Sequence, residues 1–183
     1  MTKGGEAGDL WVFGYGSLMW RPGFDHVERH LATVHGYHRS LCIYSHVHRG
    51  SPTQPGLVLG LDRGGSCRGI AFRVEARHSA ATIAYLRERE QATAVYREAH
   101  LRVRLEDGRQ CECLAYVVDP SHHQYSGRLP PSELLRLVRQ GVGQSGRNPD
   151  YVVNTHDHLI SLGIEDKQLA WLAHQLRPAD QLP

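Results

Sequence analysis

Apolar residues recur along this chain with two different periods, and the switches between them mark out its elements. Leu10 to Phe13 is a short apolar run of the kind a buried strand uses. Val34 to His46 is a longer, less regular strand region, with Leu41, Ile43 and the neighbouring Val47 as its apolar positions. Arg49 to Gly56, with Pro52 and Pro55, reads as a loop. Leu57 to Leu61 and Gly69 to Val74 are two β-type runs, and the glycines of Asp62-Arg63-Gly64-Gly65 between them favour a reversal, so a hairpin is predicted there. A second hairpin carries a stronger signal. Leu101, Val103 and Leu105 alternate with Arg102 and Arg104, which puts the three apolar side chains on one face, and Asp107-Gly108 then turns the chain into Cys111 to Val118.

Helical spacing appears in four places. Ala76 to Gln91 holds the first helix, and Ser132 to Gln140 the second, after Pro130-Pro131. Asn148-Pro149-Asp150 opens the third, which runs to near Gly163, with Asn as the cap, Pro at the first helical position and an acid in the first turn. Glu165 to Leu176 is the fourth and buries Leu169, Leu172 and Leu176. Strands interrupted by one helix and followed by three more imply an α+β fold whose mixed sheet can curl into a small barrel flanked by helices.

Length is consistent with this architecture. A chain of 183 residues suits one domain, here residues 10–176, with residues 1–9 and 177–183 as flexible ends. A net charge of +2 calls for neither nucleic acid nor an anionic membrane as partner. No run approaches the eighteen or so apolar residues of a membrane span, and Met1 to Asp9 lacks an apolar signal core, so a cytoplasmic protein is expected. Cys42, Cys67, Cys111 and Cys113 are then reduced thiols. Cys111 and Cys113 share a strand face, and His156 and His158 sit two apart on a helix. Neither spacing makes a zinc set, and no metal or cofactor is expected.

Two segments carry candidate chemistry. On a helical wheel Ile83, Leu86 and Glu90 fall within about 60°, with Glu90 between the two aliphatics, while Glu88 and Arg89 turn away. Glu90 therefore faces inward as a general base whose pKa is raised by burial, or else it is a helix-end carboxylate that fans out to solvent or pairs with Arg87. The strand Leu10 to Phe13 runs into Gly14-Tyr15-Gly16-Ser17, a turn whose backbone N–H groups can point at an anion or a polarised carbonyl. It is neither a dinucleotide fingerprint nor a phosphate loop, because the third glycine and the Lys-Ser/Thr ending are absent. Taken alone, it is equally a tight connection.

Val12 to Leu18 with Met19-Trp20 closely resembles the first segment of the ChaC-like γ-glutamylcyclotransferases, the glutathione-specific branch of their superfamily. The resemblance continues through Gly36-Tyr37-His38-Arg39, His48-Arg49-Gly50 with Pro55-Gly56, Gly69 to Arg73, and Tyr85-Leu86 leading to Arg89-Glu90. It resumes at Tyr125-Ser126-Gly127 and Gly143 to Asn148, and so spans roughly residues 11–175 in the family's order. It implies a compact α/β-barrel in which the loop Val12, Phe13, Gly14, Tyr15, Gly16, Ser17 binds the γ-glutamyl group and Glu90 is the catalytic acid/base. Arg39 and Tyr125 lie in matching segments and are candidates for orienting the substrate, although each also suits a structural role. The implied reaction cleaves glutathione to 5-oxoproline and cysteinylglycine. After Arg89-Glu90 the chain reads Gln91-Ala92-Thr93-Ala94-Val95-Tyr96, where glutathione-acting members are expected to have a glycine-containing turn. That departure leaves another γ-glutamyl amide or amine open as substrate, and a non-catalytic ligand-binding module on the same scaffold is the reading from a different class.

Overall fold

Two long strands organise the chain in the computed structural model, which describes residues 8–91 and 94–178. Expectations for residues 1–7, for Ala92 and Thr93, and for residues 179–183 lie outside the described residues. Strand β1 is Leu10–Gly14 and is followed by a single 3-10 turn, Ser17–Met19. The long strands are β2, Glu28–Ser45, and β3, Gly56–Val74. Helix α1, Ala76–Glu90, precedes strands β4, Tyr96–Leu105, and β5, Gln110–Val118. By contact the chain divides into two compact units, one formed by the residues up to Arg39 with Leu61–Asp119, the other by Ser40–Gly60 with Pro120 onward. Both long strands run from one unit into the other.

In the first unit the strands close into a barrel in the order β1-β3-β2-β4-β5. β1 pairs antiparallel with β3, setting Val12 opposite Phe72 and Gly14 opposite Ile70, and parallel with β5, setting Val12 opposite Leu114. β4 and β5 form the expected hairpin, with Leu101 opposite Cys113 and Val103 opposite Cys111, and Val103 and Leu105 are buried while Arg102 and Arg104 are exposed. Val12, Leu18, Leu86, Leu114 and Tyr116 are packed into one buried cluster, so the inner face of α1 rests on β1 and β5. Five fully buried side chains of this kind contribute on the order of 10 kcal/mol of hydrophobic stabilisation.

The first predicted hairpin does not form. β3 passes through Asp62-Arg63-Gly64-Gly65 as one strand, and Gly64 and Gly65 take φ of +100° and +68°. Positive φ at two glycines reads locally as a reversal, yet the same geometry is also that of a bulge inside a continuing strand. Pairing decides between them: the Gly69–Val74 half pairs with β1, and β2 is β3's other neighbour, so its two halves are not each other's partners. His38 Nδ1 lies 2.9 Å from the Gly64 carbonyl oxygen at the bulge. Asp9, assigned to the fraying N-terminal end, is tied down as well. Its carboxylate accepts from Arg73 at 2.5 Å and from the Ala76 N–H at 2.9 Å, where the chain enters α1.

The second unit is helical. It holds α2, Pro131–Gln140, α3, Asn148–Ser161, and α4, Lys167–Leu176, with a two-stranded ribbon of β6, Val142–Gly143, and β7, Gly146–Arg147. Leu134, Leu137, Val138, Val152, Leu159, Leu169 and Leu172 are buried and form its core. Asn148 is not the cap of α3. It lies inside the helix, fully buried, where its side chain accepts from the Leu57 N–H and donates to the Leu57 carbonyl, both at 2.8 Å. A side-chain amide presents a donor and an acceptor side by side, so here it completes the hydrogen bonding of a strand residue that a hydroxyl or carboxylate cap could only half satisfy. Helix α4 does have a side-chain cap, Asp166, which accepts from the Leu169 N–H at 3.0 Å. Among the described residues no helix is long and apolar enough to cross a membrane.

Past α1 the chain turns without glycine. Ala94 has φ of +56°, and it is the one non-glycine residue with positive φ among the described residues. A Cβ in the left-handed region clashes with the neighbouring carbonyl at a cost of about 1 kcal/mol. Ala94 is exposed, so no packing is lost when its methyl is removed. Ala94→Gly is therefore expected to raise stability by about 0.5–1 kcal/mol, the conformational entropy of glycine in the unfolded chain offsetting part of the relief. Chemical denaturation at pH 7 checks this, and a midpoint that stays put or falls contradicts it.

Candidate active site

The last turn of α1 and the loop after β1 belong to the same unit and meet through one side chain. Glu90 ends α1 on the face that carries Leu86 and Ile83, as its wheel position predicts, and 17% of its side chain is exposed. Burial raises its pKa, and the neighbouring Arg89 guanidinium, 3.4 Å from Oε1, offsets only part of that rise. Arg87, one partner that a structural reading of Glu90 offers, is engaged elsewhere. It donates twice to Glu98 on β4, at 2.6 and 3.1 Å, and this pairing lowers the pKa of Glu98. Tyr116 on β5 also donates to Glu98, at 3.0 Å, and burial together with that bond pushes the phenol pKa up. It stays neutral near Glu90.

The loop itself is built from a strand end and a tight turn. Val12 and Phe13 are core residues, fully buried. Of the candidate segment, Gly14 ends β1 opposite Ile70, and the part beyond the strand is Tyr15-Gly16-Ser17. Tyr15 is buried, Gly16 half-buried and Ser17 exposed. The Met19 N–H donates to the Gly16 carbonyl at 2.9 Å and the Arg21 N–H to the Ser17 carbonyl at 2.7 Å, closing the 3-10 turn. In such a turn the first N–H groups have no acceptor within the helix, and they are the groups a ligand oxygen can take.

Arg39 is buried and reaches the back of this loop. Its Nε donates to the Tyr15 carbonyl and its Nη2 to the Arg68 carbonyl, each at 2.6 Å. These contacts tie the arginine to the backbone of the loop and of β3. Tyr125 belongs to the second unit, where its backbone bridges Ile43 and its N–H donates to the His122 carbonyl at 3.0 Å.

Wheel reasoning places Arg89 away from this site, and the structure corrects it. Its Nη2 donates to Ser17 Oγ at 2.8 Å, while Nη1 donates to the Arg21 carbonyl at 2.7 Å and to the Tyr85 hydroxyl at 3.0 Å. Gly23 makes room for this arrangement: it has φ of +75°, and a Cβ there would lie 2.0 Å from the Tyr85 hydroxyl oxygen. The sequence signal that points to Arg89 is its position beside Glu90 in a segment shared with the family.

Elsewhere, Cys111 and Cys113 bring their Sγ atoms to 3.6 Å on one strand face. Among the described residues no group of three or more His, Cys, Asp or Glu side chains is gathered to hold a metal ion.

The sequence model of the ChaC-like protein family matches residues 10–179. The glutathione-specific γ-glutamylcyclotransferase of Escherichia coli K12 is 32% identical over 164 residues, which is 90% of this chain and 71% of that protein. Human glutathione-specific γ-glutamylcyclotransferase 1 is 31% identical over 91% of this chain and 78% of its own length. The crystal structure of a γ-glutamylcyclotransferase specific to glutathione from yeast superposes with a TM-score of 0.82, covering 92% of this chain and 96% of that one at 21% identity, so the fold is shared. The chain belongs to the ChaC-like family of γ-glutamylcyclotransferases.

Proposed function

We propose that the protein is a γ-glutamylcyclotransferase that converts glutathione to 5-oxoproline and cysteinylglycine, with residues 10–176 acting as one catalytic domain. The observation that carries this reading is Glu90: a carboxylate with a raised pKa, shielded among apolar side chains and joined through Arg89 to the Gly14–Ser17 loop. In a γ-glutamyl compound the α-amino nitrogen is within reach of its own γ-carbonyl, and attack closes a five-membered lactam at little entropic cost. The ammonium must first lose a proton. Ionised Glu90 takes it, the amine nitrogen bonds to the γ-carbon, Glu90 returns the proton to the cysteinyl nitrogen as the bond from that nitrogen to the γ-carbon breaks, and the second proton of the ring nitrogen passes to the released amine, which leaves as an ammonium. Backbone N–H groups of the Gly14–Ser17 loop stabilise the oxygen that becomes negative, where one fixed donor is commonly worth about 3 kcal/mol of barrier, or else hold the substrate α-carboxylate. In this reading Arg39 serves by holding the loop, Tyr125 orients the substrate, and the enzyme works in the cytoplasm with no nucleic acid, membrane, metal or cofactor as partner.

The test is to incubate the pure protein with glutathione and with a panel of γ-glutamyl dipeptides and to measure 5-oxoproline by mass spectrometry, before and after dialysis against a strong chelator. Glutathione is expected to give 5-oxoproline and cysteinylglycine at the same rate in both states. Product from other γ-glutamyl amides alone would assign the substrate to the alternative that the Gln91–Tyr96 turn leaves open. No product from any of them would leave a ligand-binding module.

A further inference from the structure

We infer that Arg89 is the positioning residue of this site, a fork that sets the Ser17–Pro22 loop in register with the catalytic carboxylate. The inference rests on the cyclotransferase reading and adds a function for a side chain that the reaction itself does not require. Each end of the guanidinium has its own task. Nη2 holds Ser17 Oγ at 2.8 Å, and Nη1 holds the Arg21 carbonyl at 2.7 Å, the Pro22 carbonyl at 3.4 Å and the Tyr85 hydroxyl at 3.0 Å. Nε faces Glu90 Oε1 at 3.4 Å. A planar fork with donors on three nitrogens can join a helix end to a loop in this way, whereas an ammonium reaches only part of the set.

Position alone does not exhaust its effect. The charged and titratable groups around Glu90 are Arg89 on its own helix, the neutral phenol of Tyr116 on β5, Tyr96 of β4 in the same cluster, and the Arg87–Glu98 pair beyond Tyr116. Arg89 is the cation among them that favours ionised Glu90, against the burial that disfavours it. Removing the charge raises the Glu90 pKa further. The base is then ionised only at higher pH, so the acid limb of the kcat/KM profile moves up.

Two variants separate position from charge. Arg89→Lys keeps the charge but not the fork, and is expected to leave the acid limb in place while kcat/KM falls about tenfold or more, chiefly through KM, as the loop loses its register. Arg89→Met loses both and is expected to fall further and to move the acid limb to higher pH. Carboxyl ¹³C NMR titration of Glu90 reads the charge effect independently of turnover: in Arg89→Met it is expected to titrate at higher pH than in the wild type. Arg89→Lys with wild-type KM and kcat, or a Glu90 titration unmoved in Arg89→Met, overturns the inference. Should Arg89→Met fail to fold, the KM of Arg89→Lys decides. Wild-type protein that makes no 5-oxoproline instead refutes the cyclotransferase reading, and the NMR titration then still reports on Arg89.

Discussion

Glu90→Gln is expected to cut turnover by a factor on the order of 10² or more while leaving the protein as stable at pH 7, or more stable by up to about 1 kcal/mol. The two halves of this expectation have one origin. A carboxylate whose pKa is raised by burial is held by the fold against its ionised form. Protonated, below its unfolded pKa near 4.3, it costs the fold nothing by charge; as pH rises past that value the unfolded chain ionises first, and the folded state loses stability until its own raised pKa is passed. At pH 7 the charge is therefore a burden on the fold, and the neutral isostere relieves it. Catalysis, in contrast, depends on that charge, since only the carboxylate can accept the ammonium proton. If Glu90 were instead a structural partner of a cation, the substitution would lower stability and spare activity. Arg87 is already committed to Glu98 through two hydrogen bonds, and Arg89, beside Glu90, offsets only part of the rise that burial causes, which is why the catalytic outcome is expected. Thermal melts and 5-oxoproline assays on one preparation decide it: a destabilised but active variant would show that another carboxylate does the chemistry.

The inward direction of Glu90 was legible because a helical wheel reports where Cβ points, and Leu86 and Ile83 fix which side is inward. Arg89 escaped the same reasoning because the wheel says nothing about the reach of a long side chain. Its Cβ starts away from the site, but four further bonds carry the guanidinium back across the helix end to Ser17. The β4–β5 hairpin was legible because its alternation and its Asp107-Gly108 turn agree, whereas Gly64-Gly65 gave only half of such a signal. The glycines mark where the backbone bends, and the partners of β3, which are β1 and β2 rather than its own two halves, settle what the bend becomes. Asn148 fits the helix-start pattern yet satisfies Leu57, which lies 91 positions away in sequence; no local pattern encodes such a partner. Reaction type came from family resemblance, and geometry then divided the segments: Val12 and Phe13 to the core, Gly14 to the strand end, Tyr15 to Ser17 to the turn, Arg39 to the carbonyls behind it.

Blocking the substrate's α-amino group is expected to abolish the reaction, with N-acetyl-glutathione turned over at less than about one hundredth of the rate of glutathione. The argument turns on what the site offers as nucleophile. Ser17 is the hydroxyl of the loop, but it accepts a hydrogen bond from the Arg89 guanidinium, which draws electron density from its oxygen, and the same guanidinium also lies beside the Glu90 carboxylate. An activated serine needs a base accepting its proton, and this one has a cation donating to it. Cys111 and Cys113 hydrogen-bond to each other on β5, and that bond together with burial pushes the Cys113 thiol pKa up, while Cys111, whose pKa the bond lowers, has Arg109, Asp107 and Glu28 as its charged neighbours and not Glu90 or Arg89. The attacking atom is then the substrate's own amine, and acetylation removes both its lone pair and the proton that Glu90 must take. Cysteinylglycine released from N-acetyl-glutathione at a rate near that of glutathione would mean that water or a side chain attacks the γ-carbonyl. Glu90 would then be the base of a hydrolase, and the lactam would not be the product.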